Sequence, residues 1–230
     1  MEILNKDEFF SLSTYLNLRD LLNFCRTNKY IRDILYRDSV WNYRLKKEFP
    51  EYNLNIQESK KDVYKLLYSI TILKNKLRLK QTIYELYNLK ELHLSSQHEQ
   101  IPKQIGVLIN LKRLYLTNNR LTQLPKELGN LKNLELFNST DNMLTKIPKE
   151  LGNLINLKYL ALSFNEIEEI PKELGNLTNL ESLYLNDNKL KDLPKEFSKL
   201  KNLKEIYLAR NKSAWLGKCF LQHKNLKISI

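Results

Sequence analysis

Tyr115, Asn138, Ala161, Tyr184 and Tyr207 stand 23 residues apart, and His93 lies one residue short of the same interval. Arg113, Tyr159, Phe164, Asp187 and Arg210 flank this column. Tyrosine carries a flat apolar ring tipped by a hydroxyl and arginine a fixed fork of donors, which is the chemistry of non-covalent protein recognition. Tyrosine is also an ordinary strand residue, so β-preference alone is the competing explanation. Residues that make and break bonds are scarce. There is no phosphate-cradling glycine loop, no H-E-x-x-H, no C-x-x-C and no nucleophile elbow. His93, His98 and His223 are scattered, and a lone surface histidine is more often solvated than a ligand or base. Cys25 falls on an apolar stripe and reads as a small core residue, while Cys219 lies in the C-terminal tail. These patterns predict no catalytic group, no cofactor and no metal site.

The elements that would position the column declare themselves by the same interval. Pro102, Pro125, Pro148, Pro171 and Pro194 are 23 residues apart, as are Gly106, Gly129, Gly152 and Gly175, and Asn119, Asn142, Asn165, Asn188 and Asn211. Such spacing specifies a solenoid of stacked coils. Aligned on Leu111, Leu134, Leu157, Leu180 and Leu203, the unit reads L-x-x-L-x-L-x-x-N-x-L-x-x-L/I-P-K-E-L-G-N-L. The L-x-L alternation puts Leu160 and Leu162 on the core face of a short strand and Tyr159 and Ala161 on the opposite face. The recurrent asparagine is expected to satisfy turn backbone groups. Proline, which cannot donate to a ladder, marks the outer arm, and K-E-L-G-N-L supplies one helical or extended turn there. Ser139 replaces a leucine found in every other unit and marks the third strand as the expected weak point, with Phe137 beside it filling part of the volume.

This unit resembles the leucine-rich repeat. The first copy is atypical, with Gln97 at the asparagine position, and a sixth begins at Leu203, Ile206, Leu208 and Asn211. The tail, with Trp215, Phe220 and a short strand through Leu226, Ile228 and Ile230, reads as a cap over the apolar end of the stack. Parallel strands would align the column and its flanks into one concave face. Arg113, Tyr115, Tyr159, Phe164, Tyr184, Asp187, Tyr207 and Arg210 are therefore the expected contacts for a target protein.

Residues 2–49 lack glycine and proline, and their apolar residues follow helical intervals. Asn5 and Glu8 resemble a capping box, and three short helices are expected. The ordered set Leu4, Asp7, Phe9, Phe10, Leu12, Tyr15, Leu16, Asp20-Leu21-Leu22, Arg26, Asn28-Lys29, Ile34, Ser39 and Trp41 resembles the F-box, although the Leu-Pro that opens the family's motif is Leu4-Asn5 here. What the resemblance implies is docking on a Skp-type adaptor of a cullin-RING ubiquitin ligase through Leu4, Phe9, Phe10, Leu12, Leu16, Leu21, Leu22 and Trp41, or a core supporting that contact. The repeats would then hold the protein to be ubiquitinated. The alternative is a stand-alone interaction scaffold whose N-terminal helices only cap the solenoid.

Residues 59–88 carry Val63, Leu66, Leu67, Ile70, Leu73 and Leu77 at helical intervals, which predicts a helical spacer instead of a flexible tether, with residues 50–58 as the joint. The expected architecture is α/β: a three-helix module over 1–49, a helical spacer over 50–88, six repeat units with short parallel strands over 89–212 and a cap over 213–230. The net charge of +12 divides evenly, residues 1–80 and 81–230 contributing +6 each. The periodic lysines on the outer arm are mostly followed by glutamate, a solvated mixed-charge face instead of a phosphate track, so no specific nucleic-acid binding is expected. Two distant cysteines, an N-terminus rich in charge and the lack of a long apolar run predict a soluble protein of the reducing interior, cytoplasmic or nuclear, with no membrane partner.

Overall fold

The computed structural model describes residues 38–50, 59–95, 98–212 and 226–229, and the chain divides into two compact units, residues 1–72 and 73–230. Residues 1–37 of the expected three-helix module, with its Asn5–Glu8 capping box, residues 51–58 of the joint and most of the C-terminal cap lie outside the described residues. Of the expected adaptor contacts only Trp41 is described.

Within the first unit, helix α1 (Asp38–Glu48) buries Val40, Trp41 and Leu45 on one side. Helix α2 (Lys60–Leu77), which runs past the division at residue 72, starts at Ser59, whose Oγ accepts from the Asp62 amide at 3.3 Å. Such a cap satisfies one of the donors that a helix start leaves open. Trp41 meets Tyr64 of α2 with ring centroids 5.3 Å apart, and Phe49 meets it edge-on at 5.7 Å. The Tyr64 hydroxyl donates to Glu48 Oε2 at 2.6 Å, while Arg44 donates to Oε1 of the same carboxylate at 3.0 Å. Burial, then the Glu48 hydrogen bond, pushes the Tyr64 hydroxyl above its ordinary range, so it remains a donor.

Along α2, Val63, Leu67, Ile70, Leu73 and Leu77 are buried, a stripe at i, i+4 and i+3 steps, whereas Leu66 is only partly covered. In the second unit a short helix α3 (Ile83–Tyr87) opens on a reciprocal box: Thr82 Oγ accepts from the Glu85 amide, and Glu85 Oε2 accepts from the Thr82 amide at 2.7 Å. The T-x-x-E signature for it stood in the sequence.

The remaining described residues of the second unit form a stack of coils. Seven three-residue strands, β1 (Glu91–His93), β2 (Arg113–Tyr115), β3 (Leu136–Asn138), β4 (Tyr159–Ala161), β5 (Ser182–Tyr184), β6 (Glu205–Tyr207) and β7 (Lys227–Ser229), form one parallel sheet in chain order. Each strand pairs with the next in one unbroken register, for example Tyr159 with Ser182 and Ala161 with Tyr184. Central residues Leu92, Leu114, Phe137, Leu160, Leu183 and Ile206 face the core and are buried. Ile228 of β7 shares their register but is partly exposed.

The outer arms are five-residue 3₁₀ turns, such as Lys149–Asn153 and Lys172–Asn176, each begun by the periodic proline in extended conformation. Proline has no amide to leave unpaired there, and its carbonyl accepts the turn's first bond, as Pro148 does from the Leu151 amide at 3.1 Å. The glycine of the first four turns allows the next coil to approach. A Cβ on Gly152 would lie 2.3 Å from the carbonyl oxygen of Glu173, with no room to relax because the obstacle is backbone. At the corresponding place in the last turn (Lys195–Lys199) stands Ser198, which is exposed.

Two asparagine ladders tie coil to coil. The expected one is buried: Asn165 donates to the carbonyls of Ser139 in the preceding coil at 3.0 Å and Leu162 in its own at 3.1 Å, and its Oδ1 accepts from the Leu144 amide at 3.0 Å. Asn119, Asn142 and Asn188 repeat this pattern. The second ladder is exposed, Asn133, Asn156, Asn179 and Asn202 each donating to a backbone carbonyl of the preceding coil at 2.8–2.9 Å. It shares the 23-residue interval, which would have revealed it in the sequence.

Ser139 is fully buried beside fully buried Phe137, and β3 keeps its register with both neighbours. The pair holds a large and a small side chain where other coils hold two of middle size, so the core is filled by compensation across adjacent inward positions.

Candidate functional site

The face of the sheet turned away from the leucine core consists of two columns set by strand register. One runs Glu91, Arg113, Leu136, Tyr159, Ser182, Glu205, Lys227, and the other His93, Tyr115, Asn138, Ala161, Tyr184, Tyr207, Ser229. Phe137 and Ser139 apart, the inward positions repeat aliphatic residues, and these do not. Because the pleat sends alternate side chains to opposite faces, the identity of each outward residue is free of the core's demands.

The rings on this face touch. Tyr184 and Tyr207 stack with centroids 4.6 Å apart and planes 7° from parallel, and Tyr159 leans on Tyr184 at 5.0 Å. At the other end His93 stacks on Tyr115 at 4.2 Å. Ala161, between Asn138 and Tyr184, is buried. Aromatic pairs at these distances prefer offset geometry and hold one another in place, which fixes the rings before any partner arrives.

The charges of the two columns are engaged within the face. Glu91 accepts from His93 at 2.7 Å and from Arg113 at 2.5 Å. These two hydrogen bonds hold the Glu91 carboxyl below the usual carboxylate range. Glu205 accepts from the Tyr184 hydroxyl at 2.6 Å, and that bond, followed by one to Ser182, lowers its carboxyl likewise. Burial and then Glu205 raise the Tyr184 hydroxyl, so the tyrosine donates and the glutamate stays ionised. Lys227 Nζ lies 6.0 Å from the Tyr207 ring centre. Along the strand starts, Lys112 and Lys158 both pair with Glu135, at 3.0 and 3.5 Å, and Lys204 pairs with Glu181.

Phe164, Asp187 and Arg210 do not lie on the strands. They occupy the turn beyond, immediately before the ladder asparagine, with Asn118 and Asp141 in the equivalent places of other coils. All five adopt left-handed backbone, with φ between 52° and 59°. The frame imposes this: the Phe164 amide donates to Asn186 O at 3.0 Å and its carbonyl accepts from the Asn142 amide at 3.1 Å, one coil on each side. Asparagine and aspartate tolerate that conformation, while phenylalanine and arginine incur about 1–2 kcal/mol. Arg210 is compensated by Asp187, donating to both carboxylate oxygens, with Nη2 to Oδ2 at 2.8 Å. Phe164 is 49% exposed.

Of the eight residues expected to contact a target, the structure clusters Tyr159, Tyr184 and Tyr207, and joins Asp187 to Arg210. Tyr115 and Arg113 instead associate with His93 and Glu91 toward the first strand. Glu205, the carboxylate that organises the tyrosine cluster, was not among the expected site residues, although its place in the column of Arg113 and Tyr159 was legible from the period. Among the described residues, no group of three or more His, Cys, Asp or Glu could hold a metal ion, and no helix is long and apolar enough to cross a membrane.

Two family models match the chain: a leucine rich repeat over residues 109–167 and a leucine-rich repeat region over residues 146–222. No curated protein matches it. Among solved structures, a leucine-rich repeat protein of Leptospira interrogans is 44% identical, with a TM-score of 0.60 over 64% of this chain and 38% of its own. The leucine-rich repeat ectodomain of a plant membrane receptor kinase from Arabidopsis thaliana, solved in complex with Casparian strip integrity factor 2, is 31% identical, with a TM-score of 0.53 over 61% of this chain and 18% of its own. An internalin of Listeria monocytogenes, 24% identical with a TM-score of 0.50 over 60% of this chain and 38% of its own, shares the fold. The chain thus spans well under two thirds of the length of these relatives. Leucine-rich repeat regions, and with them the fold of a protein-interaction scaffold, are present; none of these matches concerns an F-box.

Proposed function

We propose that the protein is a non-catalytic interaction scaffold that holds a protein partner on the strand face of its repeats. The observation that carries this reading is the Tyr159, Tyr184 and Tyr207 cluster. Three large rings, prearranged by mutual contact and by Glu205, stand on a face whose inward side already completes the core. Rigid aromatic side chains with a polar tip contribute contact area at low entropic cost, and such anchors dominate the energetics of protein interfaces. The similar plant ectodomain solved with Casparian strip integrity factor 2 lends the reading further support. A photo-crosslinking residue placed at Tyr184 tests it in cells: a discrete adduct is expected there and none from the same residue at Ile155, an exposed outer-arm position. Adducts from Ile155 with none from Tyr184 would sink the proposal.

The finer reading, a substrate-recognition adaptor of a cullin-RING ubiquitin ligase, rests on the order of residues 4–41. Trp41 is fully buried against Tyr64, which suits a core residue supporting an adaptor-binding surface. On this reading purified full-length protein captures a recombinant Skp-type adaptor, and a Leu16→Asp, Leu21→Asp variant that keeps its circular dichroism spectrum does not. Failure of the wild type to capture leaves the stand-alone scaffold as the function.

A further inference from the structure

The turn that follows each strand forms a rim, and among the described coils its side chains are polar at all but two adjacent ones, each of which contributes one apolar residue. Before the ladder asparagine stand Asn118, Asp141, Phe164, Asp187 and Arg210, and after it Arg120, Met143, Glu166, Lys189 and Lys212. Phe164 and Met143 are each 49% exposed, and the hydrogen bond from the Asn142 amide to the Phe164 carbonyl brings their adjacent coils together. Phe164 holds a left-handed conformation that asparagine or aspartate would adopt at lower cost, so neither core packing nor backbone preference accounts for it. Strain at an exposed, unburied side chain points to use by a ligand.

The surroundings define what that ligand is. Inward of Phe164 on the sheet lie Leu136, Tyr159, Asn138, Ala161 and Tyr184, a stretch without a formal charge across β3, β4 and β5. Ionised groups on the strand columns are confined to its two sides, where Glu91 pairs with Arg113, Glu205 accepts from the Tyr184 hydroxyl and Lys227 lies 6.0 Å from the Tyr207 ring centre. A charged ligand would find no unmatched partner in the centre and would have to be desolvated there, which is unfavourable. Resting on the strand-face reading given above, we infer that Phe164 and Met143 form the wall of an apolar subsite over β3–β5 that takes an uncharged, aromatic or aliphatic segment of the partner polypeptide. Apolar centre and charged flanks reproduce the division between interface core and rim.

The test combines stability with selection. Full-length wild type and Phe164→Asn are compared by thermal unfolding, and each is used to select from a phage-displayed random dodecapeptide library, with Tyr184→Ala and Ile155→Asn as comparators. The inference expects Phe164→Asn to unfold at the wild-type temperature or higher, because asparagine accepts the left-handed turn. Wild type should enrich near-neutral peptides rich in aromatic and aliphatic residues. Their binding should fall at least tenfold in Phe164→Asn and persist in Ile155→Asn. A lowered unfolding temperature in Phe164→Asn makes the ring a packing residue and overturns the inference. So does enrichment of charged peptides, absence of enrichment, or binding of neutral phosphatidylcholine vesicles in place of peptides. Peptides that lose binding in Tyr184→Ala but not in Phe164→Asn overturn the subsite while leaving the strand-face reading intact; indifference to both removes both.

Discussion

The frame of the repeat stack and its strand face obey opposite rules. In the frame, Pro148, Gly152, Asn156 and Asn165 have equivalents coil after coil, and each equivalent makes the same backbone contact. On the strand face, adjacent coils present Asn138, Ala161, Tyr184 and Tyr207 in one register position. A side chain that must meet the backbone of the next coil has one solution, whereas a side chain facing outward from a completed core has many. Repetition therefore marks what holds the stack together, and departure from repetition marks where recognition is written. Ser139 with Phe137 is a departure of another kind, a volume exchange inside the frame that leaves the register unchanged.

Perturbing the frame should cost far more than perturbing the face, and the effects can be ranked. Gly152→Ala drives a Cβ against the Glu173 carbonyl and is expected to cost about 3 kcal/mol or more in urea unfolding. Ser198→Ala, at the equivalent place in the last turn, should stay within about 0.5 kcal/mol. Were both tolerated, close approach of the turns would not be the glycine's role.

Next in size is the Phe137 and Ser139 pair. Ser139→Leu alone overfills the third coil and should cost about 1–3 kcal/mol. Adding Phe137→Leu restores the volume and should recover most of that loss, a favourable coupling visible in a double-mutant cycle. Additive losses would mean that the two positions do not share their space.

Breaking a rung of the exposed ladder is gentler. Asn156→Ala frees the Lys132 carbonyl to water and should lower stability by about 0.5–1 kcal/mol.

Acidification should act most weakly and most broadly. Glu91, Glu135, Glu181, Asp187 and Glu205 all have lowered carboxyl pKa values, through hydrogen bonds first of all to His93, Lys112, Lys204, Arg210 and Tyr184 respectively. A depressed folded-state pKa stabilises above the ordinary carboxylate range, and that contribution disappears as pH falls through the folded value. The unfolding temperature should hold between pH 7 and 5 and decline below about pH 4.5. In Tyr184→Phe the Glu205 carboxyl, followed by NMR, should titrate at higher pH than in wild type.

Much of this was legible in the sequence because stacking converts a chemical role into an interval. The strand centres, the place of the outer arm after each proline, the asparagine ladder and the outward columns followed from 23-residue spacing together with the two-residue pleat, whereas the arm itself was legible only as one helical or extended turn. The left-handed turn under Phe164 and Arg210 was not legible, since local preference argues against those residues there and only the bonds from flanking coils enforce it. The role of the Glu205 carboxylate was not legible either, because hydrogen bonding between columns depends on side-chain reach instead of period. The volume exchange at Phe137 and Ser139 was half visible: the small residue breaks the repeat openly, whereas the burial of the large one beside it depends on packing.

The separation of frame from face is tested most directly by urea unfolding of Asn165→Ala beside Tyr184→Ala. Asn165→Ala strands the Leu144 amide in a buried place and removes one of two asparagine donors from each of the Ser139 and Leu162 carbonyls, which keep Asn142 and Asn188, and should cost about 2–3 kcal/mol, whereas Tyr184→Ala removes one partly exposed ring and should cost about 1 kcal/mol or less. A Tyr184→Ala loss equal to or larger than that of Asn165→Ala would show the tyrosine cluster to be part of the frame and contradict its assignment to recognition.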